Sequence, residues 1–151
     1  MSGSLPLRVY ALTGTSPTGT TAATITGVVQ HGLQKHDYFA IDADLKGASL
    51  GTLDVYLQRK VTDDVWLDWL HFPQLAEGAA RVYYSATTGG STTITAVGKG
   101  TDASAGTPAL AANSFIGGHP GDQIRMVCKA GGATNTGTGV TVYVTGWQAA
   151  R

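Results

Sequence analysis

Residues 53–72, LDVYLQRKVTDDVWLDWLHF, decide the fold. The first six residues of this stretch alternate aliphatic and polar or amphipathic side chains, the period of a strand with one buried face. A short polar turn, Thr-Asp-Asp at 62–64, precedes a second strand that is dense in aromatic residues. Burying one large aromatic side chain contributes roughly 2–3 kcal/mol, so Trp66 and Trp69 should dominate the core or an interface. The stretch therefore predicts a β-hairpin around which an all-β fold is built.

Period-two patterns recur along the chain, and turn residues separate them. The predicted strands cover residues 5–12, 21–30, 36–44, 53–58, 65–72, 81–88, 92–97, 123–129 and 140–147, with a short one at 113–116. The last two long strands are expected to pair with each other across a Gly-rich loop. About nine strands with almost no helical pattern predict an antiparallel β-sandwich, jelly-roll-like, with long loops.

The chain length suits one domain with an extension at its N-terminus. Residues 1–20 contain Pro6 and a Gly/Ser/Thr-rich loop, which predicts an N-terminal arm or an edge strand with a loop. Residues 21–151 are expected to form a single β-sandwich domain. A weakly patterned loop at 98–116 is long for a compact domain, which favours a role in binding.

Composition excludes several classes of protein. Charged residues make up 13% of the chain and the net charge is zero, which argues against nucleic-acid binding and does not oppose self-association. Cys128 is the only cysteine, so neither a disulfide framework nor a cysteine metal site is expected. No apolar window is long enough to span a membrane, and no signal peptide is recognisable, so synthesis and folding in a cytoplasm are expected.

Patterns of catalytic or metal-binding residues are weak. The four histidines are scattered along the sequence, and no G-x-S-x-G nucleophile motif occurs. Asp68 and Glu77 are one conceivable glycosidase pair. The favoured interpretation is that Asp68 points to solvent or caps a turn, while Trp66 and Trp69 pack. The sequence thus predicts no enzyme, no cofactor and no metal.

The hairpin stretch resembles small virion proteins of tailed bacteriophages. Those families carry an apolar-Asp-Val-Tyr-apolar-Gln strand, a short turn, then Trp-x-Asp and an apolar-x-Phe end. The matching positions are Leu53, Asp54, Val55, Tyr56, Leu57, Gln58, Trp66, Asp68, Leu70 and Phe72. A similar Gly-Asp-Gln-Ile-Arg lies at 121–125, and the resemblance covers roughly half of the chain. The turn departs from the family, since Thr-Asp-Asp stands where a Gly-rich turn is usual.

The resemblance implies a β-sandwich virion protein, most concretely a capsid decoration (cement) protein. It implies Asp54, Tyr56, Gln58, Trp66, Asp68 and Phe72 as core and signature residues. The implied partners are the major capsid protein and further copies of the chain, as a trimer or dimer on the capsid exterior, after synthesis in the host cytoplasm. The candidate interface residues are Arg8, Tyr10, Phe115 and Trp147.

A second hypothesis places the chain in a phage tail or fibre as a carbohydrate-binding β-sandwich module. Its basis is the pair Trp66 and Trp69, which would serve as an aromatic platform for a sugar if the two rings are exposed, together with the polar loops.

Overall fold

The computed structural model describes residues 8–15, 22–45, 52–63, 65–75, 82–88, 99–100, 114–116, 118–131 and 139–148. Within this part of the chain the elements are β1 (Arg8–Thr15), β2 (Ala22–His31), β3 (Tyr38–Leu45), β4 (Thr52–Thr62), β5 (Val65–His71), β6 (Val82–Thr87), β7 (Lys99–Gly100), β8 (Ser114–Phe115), β9 (Gln123–Gly131) and β10 (Gly139–Trp147). One 3-10 turn, Leu33–Lys35, lies between β2 and β3.

Two antiparallel sheets form the fold. The first has the strand order β1-β10-β3-β6, and the second has the order β2-β9-β4-β5-β7, with β8 also pairing with β5. Their inner faces pack together around a core that includes Phe39 and Ile41 from the first sheet and Leu57, Trp69 and Met126 from the second. The predicted all-β antiparallel sandwich is confirmed.

The strand order has a regular form once the two-residue strands β7 and β8 are set aside. The eight longer strands, renumbered in chain order, then follow the orders 1-8-3-6 and 2-7-4-5 in the two sheets. The first and last of these eight strands are therefore neighbours, and each sheet contains strands from both halves of the sequence.

Strand pairing corrects one prediction and confirms another. β4 and β5 form the predicted hairpin, with Tyr56 opposite His71 and a register shift that makes Trp69 an extra residue in β5. β9 and β10 do not pair with each other, because β9 lies between β2 and β4 while β10 lies between β1 and β3. Seven connecting residues can span about 23 Å, so residues 132–138 are enough to cross the roughly 10 Å between packed sheets.

The N-terminal segment belongs to the sandwich. Residues 8–15 form β1, which pairs with β10 along its whole length at the edge of the first sheet. This is the edge-strand alternative for residues 1–20, so the sandwich begins before residue 21. The predicted strand at 92–97 and residues 101–113 of the long loop lie outside the described residues.

Candidate interaction surface

The outer face of the second sheet carries a buried polar network. Gln58 in β4 donates its Nε2–H to Oδ1 of Asp68 in β5 at 2.9 Å. Arg125 in β9 donates its Nε–H to Oε1 of the same Gln58 at 2.8 Å. The Arg125 guanidinium carbon also lies 4.5 Å from the centre of the Trp66 ring, a cation–π contact. Three neighbouring strands are thereby joined by side chains as well as by backbone hydrogen bonds.

A second group of polar side chains continues this face along β4. The Asp54 carboxylate lies 3.1 Å from Nε2 of His71 and accepts a 3.0 Å hydrogen bond from Gln74. Burial raises the pKa of Asp54, but the hydrogen bonds from His71 and Gln74 and the charges of His71 and Lys129 outweigh it, so the pKa lies below its usual value. Tyr56 packs edge-on against His71, and burial raises the pKa of its phenol.

The signature residues were predicted as core residues. Phe72 lies in the core between the sheets, Tyr56, Gln58 and Asp68 are buried on the other side of the second sheet, and Asp54 and Trp66 are half-buried there. Alternation along β4 turns the leucines and valine inward, so the intervening signature side chains face outward. The outward set is Asp54, Tyr56, Gln58, Trp66 and Asp68, whereas Phe72 lies in the core. Asp68 is 0% exposed, so it neither points to solvent nor caps a turn, because Gln58 holds it inside the network.

The two tryptophans of the hairpin have different roles. Trp69 is fully buried in the core, and its indole N–H donates to the carbonyl oxygen of Gly118 at 2.8 Å. Trp66 lies on the other side of the sheet, where the Arg125 guanidinium covers its ring. Neither offers the open aromatic platform on which the carbohydrate hypothesis was based.

One end of the sandwich contains a histidine cluster that the scattered sequence positions did not suggest. Tyr10 donates its hydroxyl proton to the carbonyl of Gly32 at 2.9 Å, and its oxygen lies 2.9 Å from Nε2 of His36. His36 must therefore donate its Nε2–H to Tyr10, which leaves its buried Nδ1 without a hydrogen-bond partner. Burial, followed by the charges of Arg8 and His119, lowers the pKa of His36.

The turn before β9 closes this cluster. His119 donates its Nε2–H to the carbonyl oxygen of His36 at 2.8 Å and accepts the backbone N–H of Gly121 at Nδ1. Gly121 has a φ of 82°, the positive value that the third residue of a type II turn adopts, and it follows Pro120. Asp122 accepts the backbone N–H of Gly32 at 2.8 Å, so the turn is fixed to the connection between β2 and β3.

Three of the candidate interface residues lie in different environments. Tyr10 is 1% exposed and belongs to the core, which corrects its assignment to a contact surface; its position in β1 turns it inward. Arg8 is exposed, and its guanidinium carbon lies 4.7 Å from the centre of the Tyr10 ring. Phe115 is half-buried against the edge of Trp69. The structure does not bring these three residues onto one surface.

Trp147, the fourth candidate, lies on the outer face of the first sheet. It stacks on Tyr38 across the β3–β10 pair, with ring centres 5.9 Å apart and an angle of 23° between the planes. We call the outward side of β1, β10 and β3 the first-sheet face. Its residues are Val9, Ala11, Thr13, Tyr38, Ala40, Asp42, Asp44, Thr141, Tyr143, Thr145 and Trp147.

The first-sheet face is apolar and open. Among the described residues, five large hydrophobic side chains are exposed, and three of them lie here: Val9 at 54%, Tyr38 at 41% and Tyr143 at 43%. On this outward side the charged residues are Asp42 and Asp44 in β3, whereas Arg8 of β1 lies over the Tyr10 ring. Such a patch, rich in aromatic residues and poor in charge, is typical of the centre of a protein interface.

Sequence reasoning found Trp147 but missed the face around it. The signal was present in β10, where GVTVYVTGW alternates buried valines with Thr141, Tyr143 and Thr145. This alternation alone does not reveal the exposed patch, because only the sheet register shows that Tyr38 and Val9 lie beside Tyr143 and Trp147.

The sequence matches no protein-family model and no curated protein. In the part of the chain that the structure describes, no three His, Cys, Asp or Glu side chains are grouped to hold a metal ion. The same residues include no helix with the length and hydropathy of a membrane span.

Proposed function

We propose that this chain is a non-enzymatic structural protein of a tailed-phage virion, most concretely a decoration (cement) protein that binds the major capsid protein. The observation that carries the proposal is the open first-sheet face, because an exposed aromatic patch with few charges suits the self-association through which copies of a decoration protein would act together on a capsid. The resemblance of residues 53–72 to phage virion proteins supplies the kind of assembly.

We infer in addition that the sandwich has jelly-roll topology. The support is the order of the eight longer strands, 1-8-3-6 beside 2-7-4-5, which places the first and last strands side by side. Jelly rolls are built from eight strands in two sheets and occur in viral capsid domains and lectins. The topology therefore agrees with a virion role, although it does not separate that role from sugar binding.

The mechanism is additive binding on a repeating lattice. Each copy folds in the host cytoplasm, associates with further copies and then bridges neighbouring capsid subunits on the capsid exterior. When several contacts of one oligomer engage the same lattice, the later contacts form at high effective concentration, so individually weak contacts become collectively strong. The sandwich itself is a rigid spacer, because the side-chain networks described above join its strands.

The carbohydrate-binding alternative loses the tryptophan platform on which it was partly based. It required exposed rings at Trp66 and Trp69, and the structure places one under Arg125 and the other in the core. We therefore do not propose it as a second function.

The proposal is tested by adding the purified chain to capsids of its phage that were assembled without it. We expect saturable co-sedimentation at a fixed ratio to the major capsid protein, and a higher melting temperature of the shell. Capsids of an unrelated phage serve as the control for non-specific adsorption. Binding that never saturates, or that is equal on the two kinds of capsid, contradicts the proposal.

A further inference from the structure

We propose that the first-sheet face is the docking site for a second copy of this chain and that the chain forms a two-fold dimer through it. The inference uses the geometry and charge of the face alone, so it does not rest on the virion assignment. It also states how two copies meet on this face, which the capsid proposal leaves open.

The chemistry of the face permits self-contact. Tyr143 lies near the middle of β10, with Ala11 opposite it on one side and Asp42 on the other. Val9 and the Tyr38–Trp147 stack lie towards one end of the same strands. The net charge of the chain is zero, so two copies meet without overall repulsion.

The size of the face fits a small, weak interface. Its three strands at a spacing of about 4.8 Å and about eight residues per strand at 3.3 Å give roughly 380 Å² in projection. Protruding side chains make the accessible area larger than this projection. A standard interface uses about 800 Å² per partner, so a dimer through this face would lie below that class, among the interfaces of weak complexes.

The charges of the face are arranged so that it complements itself. Asp44 lies towards one end of β3 and Asp42 near its middle, whereas Tyr38 and Trp147, which carry an O–H and an N–H donor, lie at the other end. A two-fold axis that runs across the strands between Ala40 and Asp42, in the plane of the interface, brings Asp44 of one copy opposite Tyr38 of the other and Asp42 opposite Ala40. The Asp44 carboxylate then meets hydrogen-bond donors instead of another carboxylate, and such charge-assisted bonds are the stronger kind.

Face-to-face packing is favoured over pairing of strand edges. β1 is an edge strand of the first sheet, and an open edge strand can add a strand of another chain. Here Gln30 of β2 donates its Nε2–H to the carbonyl oxygen of Ala11 at 2.9 Å, which occupies an acceptor on the free edge of β1. The face beside this edge is therefore the better surface for a second copy.

Sedimentation equilibrium of the full chain tests the inference. We expect a reversible monomer–dimer equilibrium with a dissociation constant in the micromolar range. Tyr143→Glu and Val9→Glu each place a carboxylate in the proposed interface and should raise that constant at least about 30-fold, the loss expected at an interface hot spot.

The matched control is Val61→Glu. Val61 is 52% exposed, against 54% for Val9, but it lies near the end of β4 in the second sheet. Its substitution should change the dissociation constant by less than about two-fold. Circular dichroism establishes that each variant is folded before its association is compared.

Three results would overturn the inference: a wild-type chain that is monomeric at about 100 µM, far above the expected constant, dimers that survive both face variants, or equal weakening by Val61→Glu. A monomeric chain that still saturates its capsids would overturn only the dimer. A chain that dimerises but does not bind capsids would contradict only the proposed function.

Discussion

At the scale of single residues, His36 links the folding of this protein to pH. Its Nδ1 is buried without a partner, and its Nε2–H is committed to Tyr10, so an added proton finds no acceptor inside the fold. The groups that face it are Arg8 and Tyr10 of β1, Lys35 and Asp37 on either side of it in sequence, and His119 of the turn.

Because the pKa of His36 is lowered from 6.5 in the folded state, the unfolded state takes up its proton first as the pH falls. The stabilisation is complete above about pH 6.5 and is lost as the pH falls through the folded-state pKa. We predict that the free energy of unfolding in urea decreases over this range in the wild type, and decreases less in His36→Gln.

His31→Gln is the control for the histidine prediction, since His31 is exposed and the substitution should leave the slope unchanged. Asp54 also has a lowered pKa, but its stabilisation is lost only as the pH falls below about 3.8, outside the range of His36. Equal slopes in the wild type and His36→Gln would remove the proposed link.

Gln58 is the residue on which the buried polar network depends. We predict that Gln58→Ala lowers the free energy of unfolding by about 3 kcal/mol, because Asp68 and Arg125 both lose a buried hydrogen bond. Gln30→Ala removes a more exposed hydrogen bond to Ala11 and should cost less than about 1 kcal/mol. Equal losses in urea unfolding would mean that the network contributes little.

At the scale of elements, two glycines of β10 can be compared directly, because one is closely packed and the other is not. A Cβ added at Gly146 would lie 2.6 Å from Cγ of His36, whereas one added at Gly139 would meet nothing within 4 Å. We predict that Gly146→Ala destabilises the fold by about 1–3 kcal/mol through overpacking. Gly139→Ala should be neutral or slightly stabilising, because alanine loses less backbone freedom on folding. Thermal unfolding of the two variants compares them directly, and a harmless Gly146→Ala would contradict the packing described here.

The two tryptophans of β5 lie on opposite sides of the sheet, so their substitutions should have different effects on stability. Trp69→Ala removes a fully buried ring and a hydrogen bond to Gly118, and should cost about 3–5 kcal/mol. Trp66→Ala removes a half-buried ring and its contact with Arg125, and should cost about 1–2 kcal/mol. Urea unfolding measures both losses, and the reverse order would contradict the orientation of β5.

The sequence predicted strands better than it predicted their partners. Alternation is local, so the positions of β3, β4 and β5 follow from residues close in the chain. Pairing depends on the whole topology, and the two adjacent segments β9 and β10 lie in opposite sheets. The alternation of side chains predicts which residues of a strand share one side of the sheet. It did not show that the outward side of β4 would also be buried.

At the scale of the whole molecule, the recurrence of strand patterns was enough to predict the fold class. About nine period-two segments separated by turn residues, with almost no helical pattern, predict a sandwich. The candidate surface was only partly predictable, because it combines Val9, Tyr38, Tyr143 and Trp147 from both ends of the chain. Long-range register creates that surface, and one sequence carries no direct signal of it.

The two outer faces of the sandwich differ in their chemistry. The polar network of the second sheet is buried, whereas aromatic side chains of the first sheet are exposed on the first-sheet face, where the charged residues are Asp42 and Asp44. This asymmetry supports the proposal that the chain is part of an assembly.

The proposed virion role is tested most directly by quantitative mass spectrometry of purified tailed-phage virions whose genome carries this sequence. We predict copies of the chain in a fixed ratio to the major capsid protein, retained after the particles are banded on a density gradient. Virions that contain no copies, or copies in a ratio that varies between preparations, would contradict it.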